Sequence, residues 1–201
     1  MNNYKCNNES PTFKYDKFGT FTAHDTQCIN DSIAATGSII PFSSGISLSV
    51  FEDIFGDIDG SMLGFGTASN FVPIVNNSID LTNFLTEAFV VSRAGKITAI
   101  SATFTTITGV IFDGSVTIRA QIFLAPKGSN IFTGTSASID LAPPITGPDP
   151  TGQITFASAN TPPVQVNVGD SLIMAFYISS TTGNVDIDVI IGDANAGINI
   201  V

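Results

Sequence analysis

The sequence predicts an all-β protein, an antiparallel β-sandwich or jelly roll, with an N-terminal arm in front of it. Three observations lead there. From residue 37 onward, short apolar or alternating runs recur, roughly a dozen of them, each closed by a turn signal. Charged residues make up only 12% of the 201-residue chain, against about 25% in an ordinary domain; Ser, Thr, Asn and Gly replace Lys and Glu. No segment holds a 3.6-residue period long enough to argue a helix.

The elements follow in order. Residues 1–36 form a polar block with both cysteines, the single histidine and three of the seven basic residues. Its aromatics, Phe13, Tyr15, Phe18 and Phe21, allow one short strand, and the block reads as an extended or partly disordered arm. The domain, 37–201, begins with "GSIIPF" (37–42), "ISLSVF" (46–51) and "MLGFG" (62–66). "EAFVVS" (87–92) and "KITAISATFTTI" (96–107) come next, joined by a turn in which Gly95 is free to take φ > 0. "VTIRAQIFLA" (116–125), "SASIDLA" (136–142), "GQITFAS" (152–158) and "VQVNV" (164–168) follow. The last strands are "SLIMAFYIS" (171–179), "VDIDVII" (185–191) and "AGINIV" (196–201). The loop at 141–152 carries four of the ten prolines and cannot continue a strand. "SLIMAFYIS" is apolar on both faces, so it is buried twice: at the sandwich core, and either deeper in its own domain or against a second subunit.

Several motifs imitate functional sites. "GDSL" at 169–172 spells the signature of a family of serine esterases. A serine nucleophile needs a base and an acid to orient it. No histidine follows Ser171, and the only one, His24, lies in the arm beside Asp25. The stretch reads instead as a hairpin with Gly169-Asp170 as its turn, and no catalytic residue is assigned. The acidic run "EDIFGDIDGS" offers Asp53, Asp57 and Asp59 as weak metal candidates, but Phe55 interrupts the alternate oxygen ligands of a calcium loop. Gly64 and Gly66 lack the lysine and helix of a phosphate cradle. Asp186 and Asp188 share a strand face about 7 Å apart, with no pocket to serve. The sequons at 8–10, 30–32 and 76–78 read as chance. No cofactor is expected.

Net charge is −10. Without a basic patch, neither nucleic acid nor an anionic membrane is an expected partner. No window approaches the roughly 18 uninterrupted apolar residues of a membrane helix, and "MNNYKCNNES" lacks the apolar core of a secretory signal. Cys6 and Cys28 are too few for a disulfide framework and too far apart for a CxxC motif.

The ordered set "IIPFSSG", "LGFGTAS", "AFVVSRAGKITAISATF", "VTIRAQIFLAP", "LAPPITG" and "AGINIV" resembles the C-terminal domain of BclB-type exosporium glycoproteins, over some four-fifths of the chain. The resemblance implies a bacterial endospore surface protein, assembled from the mother-cell cytoplasm. Its head would be a jelly roll of the tumour necrosis factor and complement type that forms a homotrimer. The collagen-like stalk of such proteins is missing, since the 18 glycines have no period of three. The expected function is structural: a trimeric head in the exosporium or a spore appendage, with the arm anchoring it or cross-linking subunits through Cys6 and Cys28. The alternative is a receptor- or glycan-binding adhesion module using loops 52–60, 127–135 and 143–151.

Overall fold

The structure, a computed structural model, describes residues 12–15, 19–22, 37–52, 58–84, 87–109, 113–184 and 188–201. Its contacts divide the chain into two compact units, Met1–Thr36 and Gly37–Val201. In the first, β1 (Thr12–Tyr15) and β2 (Gly19–Thr22) pair antiparallel, Thr12 opposite Thr22. The aromatic run expected to give one strand therefore gives a hairpin.

The second unit is all-β, with no helix among the described residues. Its strands are β3 (Ser38–Ser43), β4 (Leu48–Glu52), β5 (Ile58–Leu63), β6 (Ala68–Ile74), β7 (Ser78–Asp80) and β8 (Phe89–Val90). Then come β9 (Gly95–Gly109), β10 (Asp113–Ala125), β11 (Ile131–Asp140), β12 (Ile145–Thr146), β13 (Ile154–Val166), β14 (Ser171–Asn184) and β15 (Asp188–Ile200).

Two layers emerge from the pairings. One runs β13-β9-β15, with β3 and β4 sharing the far side of β15. The other runs β5-β14-β10-β11. The hydrogen bonds at the ends of β4 and β5 join them along one side. The long strands from β9 onward repeatedly change layer: β9 and β10 do not pair, nor do β13 and β14 or β14 and β15. This alternation in an antiparallel, two-layered protein is the jelly roll. "VNVGDSL" is accordingly a crossover and not the paired hairpin expected. Gly95 likewise serves no hairpin. It opens β9, where a Cβ would stand 2.7 Å from the Val201 carbonyl oxygen.

The core lies between the layers. Phe42, Leu48, Ile100, Phe104 and Ile198 come from one sheet, and Val116, Ile118, Leu172, Met174 and Phe176 from the other, all buried. Alternation places them: Ile100, Ala102 and Phe104 point inward, while Ser101, Thr103 and Thr105 point out. Ile97 also reaches the core. It is on the wrong phase for that, but β9 slips by one residue against β15 between Ile97 and Ala99, and the bulge resets the phase. The expected pairs 152–158/164–168 and 185–191/196–201 are in fact two long strands. β13 absorbs Thr161-Pro162-Pro163 as an outward bulge against β9. It does so as an edge strand, where a missing N–H leaves no neighbour unpaired.

The second burial of β14 is within the chain. Its other face, Ile173, Ala175 and Tyr177, packs with Phe123 and Phe132 beneath Met62, Val72, Ile79 and Leu81. β5, β6 and β7, hydrogen-bonded onto the sheet through β14 and β11, thus supply from within the chain the side chains that meet this face, where a neighbouring subunit was one expectation. Residues 68–74 and 131–135, unassigned from sequence, are strands of this region.

Two core threonines are imperfectly served. Thr106 and Thr155 are each 1% exposed, and their hydroxyls meet no hydrogen-bond partner among the described residues. An unpaired buried hydroxyl costs about 1–3 kcal/mol. Thr106→Val keeps the shape and removes the cost, so it is expected to stabilise the protein by about 1 kcal/mol, read as a higher urea midpoint at unchanged slope.

Candidate functional surfaces

The outer faces of the two sheets differ in kind. On the β13-β9-β15-β3 sheet, registered residues form flat rows. Phe156, Thr103, Asn195 and Ser43 make one, and Ser158, Ser101, Gly197 and Pro41 the next. The side chains are short, and several hydroxyls are satisfied within the sheet. Ser101 Oγ and Ser158 Oγ lie 2.6 Å apart, and Thr103 donates to the Thr155 carbonyl at 3.1 Å. Among the described residues of these strands, Asp193 beside Thr105 and Lys96 at the start of β9 are the exposed charges. Apolar groups stand at both edges: Ile154 and Phe156 on β13 are 61% and 56% exposed, and Ile39 on β3 is 77% exposed. In a chain of net charge −10, such a face is where like copies approach with least repulsion.

The outer face of the other sheet is half covered. The tight turn Val75–Ser78, closed by two backbone hydrogen bonds of 3.0 Å, carries the chain from β6, paired with β5, to β7, paired with β11. Asn76 and Asn77 have φ of 51° and 57°, the left-handed pair that a two-residue hairpin turn requires and asparagine tolerates. The Asn77 amide fixes the turn by donating to the Gly134 carbonyl at 3.1 Å. Beside the turn, polar side chains of the sheet stay open. Arg119 binds Asp140 with two hydrogen bonds, Nε to Oδ1 at 2.7 Å and Nη2 to Oδ2 at 2.8 Å. Ser179 donates to Asp140 at 2.9 Å. Tyr177 donates to Gln121 Oε1, and Gln121 Nε2 donates to the Thr135 carbonyl at 2.8 Å. Arg119, Gln121 and Tyr177 were not distinguished in the sequence. Each is a polar or amphipathic residue at an outward position of a strand, and nothing local announces that β10 and β14 are neighbours.

Arg119 holds the Asp140 carboxyl below its ordinary range through that hydrogen bond, with burial opposing and Ser179 assisting. Burial pushes the Tyr177 phenol up. Because Asp140 is more acidic folded than unfolded, the pair stabilises fully above about pH 4 and loses its effect as pH falls through the lowered folded value. The two side chains are 37% and 45% exposed, which limits the effect to about 1 kcal/mol or less. Asp140→Asn should lower the urea midpoint at pH 7, and the gap to wild type should narrow as pH falls below about 4.

The sequence-derived candidates are scattered. Ser171 opens β14 opposite Ala125 and Val90. Asp170, beside it, accepts from the Asn167 backbone N–H at 2.8 Å and so caps its own turn. Gly169, at φ 91°, takes the left-handed conformation the turn needs. Asp59 lies in β5 opposite Phe51; Asp53 and Asp57 lie outside the described residues, as do Cys6, Cys28, His24 and Asp186. No group of three or more His, Cys, Asp or Glu suited to a metal occurs among the described residues. Of the candidate loops, 131–135 belongs to β11 and 145–146 to β12. Of the sequons, only 76–78 is described, and it is the hairpin turn.

No family model and no curated protein matches the chain. Among solved structures, the Eiger TNF from S. frugiperda is similar at 11% identity, over 83% of this chain and 93% of that one, with a TM-score of 0.40. No residue role is carried over from it.

Proposed function

We propose that this protein is a structural component of the bacterial endospore surface, in the exosporium or an appendage. Its 37–201 domain serves as a self-associating head, and residues 1–36 as an anchoring or cross-linking arm. The BclB-type resemblance supports the location and a homotrimer. The observation that carries the assembly role is the central part of the outer face of the β13-β9-β15-β3 sheet, where two successive registered rows carry no charge. A sheet face is ordinarily dressed in charge when it faces water, and this one carries short hydroxyl, amide and apolar groups that a like surface can approach closely. Since the second face of β14 is covered by its own chain, the outer sheet face takes over as the place of association. Cys6 and Cys28 supply covalent links between neighbours in the oxidising surroundings of a released spore.

Light scattering on the full chain tests this. Wild type should run as an oligomer, and Thr103→Glu, which puts a carboxylate at the centre of the face, should run as a monomer with an unchanged circular dichroism spectrum. Larger species seen on non-reducing gels should vanish in the Cys6→Ser, Cys28→Ser double variant. A monomeric wild type, or an oligomer indifferent to Thr103→Glu, overturns the assembly face.

A further inference from the structure

We propose that prolines close three free edges of the sandwich to strand addition, so that a second copy of the chain cannot join the domain there edge to edge. Four prolines lie inside described strands: Pro41 in β3, Pro73 in β6, and Pro162 and Pro163 in β13. All three strands are edges, since β3 pairs with β15, β6 with β5 and β13 with β9, each along one side. None of the three contains a Lys, Arg, Asp or Glu, the charges that ordinarily guard an edge. Exposed side chains on them are apolar instead: Ile39, Phe71 and Phe156 are 77%, 55% and 56% exposed. An exposed apolar edge without charge invites pairing with another chain.

The direction of each backbone decides what an incoming strand would meet. Along an antiparallel pair, residues alternate between bonding the partner and facing away from it. In β3, Ser43 faces away from β15: its N–H donates to the Gly64 carbonyl at 2.9 Å, and its carbonyl accepts from the Gly66 N–H at 3.0 Å. Pro41 and Ile39, two and four residues back in an unbroken register, face the same way. The N–H that Pro41 lacks is therefore missing from the free edge, which leaves Ile39 as the complete donor–acceptor pair there. In β6, Val75 exchanges two bonds with Ser78 on the side away from β5, so Pro73 also presents no N–H to that side. The next outward position, Phe71 at φ 58°, is lost to the bulge against β5. In β13, Phe156 bonds Ala142 on the side away from β9. Ser158 and Asn160 follow on that side, and Pro162-Pro163 end the run. Each edge thus offers at most two consecutive free rungs. One or two backbone bonds do not offset the freedom that two copies lose on pairing. An edge tolerates proline wherever its N–H would face water, but tolerance does not explain why the same three strands carry no charge. Proline stands in for charge on all three. These edges act independently of the assembly face proposed above, because association through a face leaves them untouched.

The test is light scattering of the full chain, with reductant present so that Cys6 and Cys28 form no links, together with hydrogen exchange read by mass spectrometry. Pro41→Val restores an N–H on the open side of β3. It should give larger species than wild type at the same concentration, with a native circular dichroism spectrum. Exchange across 38–43 should slow about tenfold at two further amides, those of Ile39 and of position 41. Pro73→Val should associate likewise, with the slowed amide inside 68–74, and it decides the matter where Pro41→Val does not fold. Pro126→Val removes an exposed proline in the turn after β10, away from these edges, and should keep the wild-type size. Wild-type size in both edge variants, larger species with unchanged exchange across 38–43 and 68–74, or equal growth in Pro126→Val overturns the proposal. A wild type that proves monomeric sinks the assembly face alone, because the edge variants should then associate from the monomer.

Discussion

Replacing Phe176 by alanine is expected to remove about 3–5 kcal/mol of stability, a large part of the 5–15 kcal/mol that holds a domain of this size together. Phe176 is fully buried at the middle of β14, between Ala120 of β10 and Ser61 of β5. Its ring packs on Phe104 from the opposite sheet, centroids 6.4 Å apart. It therefore bridges the two layers. The cavity left by truncation is walled by strands paired on both sides, which cannot collapse without breaking their ladders. Urea denaturation should show a much lower midpoint with the slope retained. Tyr177, the next residue, points to the other cluster beneath β5–β7, and its ring meets Phe123 edge-on at 6.5 Å. A loss below about 2 kcal/mol for Phe176→Ala would mean that the sandwich core does not depend on this contact.

The fold class was legible because alternation is a local property. β9, β10 and β14 announce themselves by which residues are apolar, and the turn residues fall between them. What stayed hidden was set by partners. "TPPVQ" and "GDANAG" look like loops because they are rich in Pro, Gly and Asp. In the structure the first is a bulge on an edge strand. In the second, Ala194 and Ala196 point inward, and Asp193, Asn195 and Gly197 lie on the outer face. Small inward residues carry too weak an apolar signal to mark a strand. The turn at Asn76-Asn77 was readable in principle, since two asparagines between "FVPIV" and "SID" suit paired left-handed residues.

The candidate sites were less legible for a physical reason. The acidic run and the GDSL letters are close in sequence, and closeness in sequence is what a motif search finds. Arg119, Asp140 and Tyr177 meet only because β10 sits between β11 and β14. The flat outer face is likewise assembled from four strands whose order in space is not their order in the chain. Its Ser and Thr residues were visible in the composition, but nothing local said that they share a surface.

Gly192→Ala is the second large effect expected, about 2–3 kcal/mol, from overpacking rather than a cavity. Gly192 lies in β15 opposite Thr106 of β9 and Leu48 of β4. A Cβ there would stand 2.4 Å from the Thr105 carbonyl oxygen and 2.5 Å from Phe104 Cε1. The Phe104 ring thus fills the space a side chain would need, and it is held there by Phe176. Pushing it aside transmits the strain across the core. The two causes can be separated by a double-mutant cycle. Phe104→Leu shortens the obstructing side chain, so in that background Gly192→Ala should cost about 1 kcal/mol less than in wild type. The cost that persists belongs to the Thr105 carbonyl, which no side-chain change relieves. Strict additivity of the two substitutions would show that the ring is not what keeps position 192 a glycine, and the backbone approach alone would then account for it.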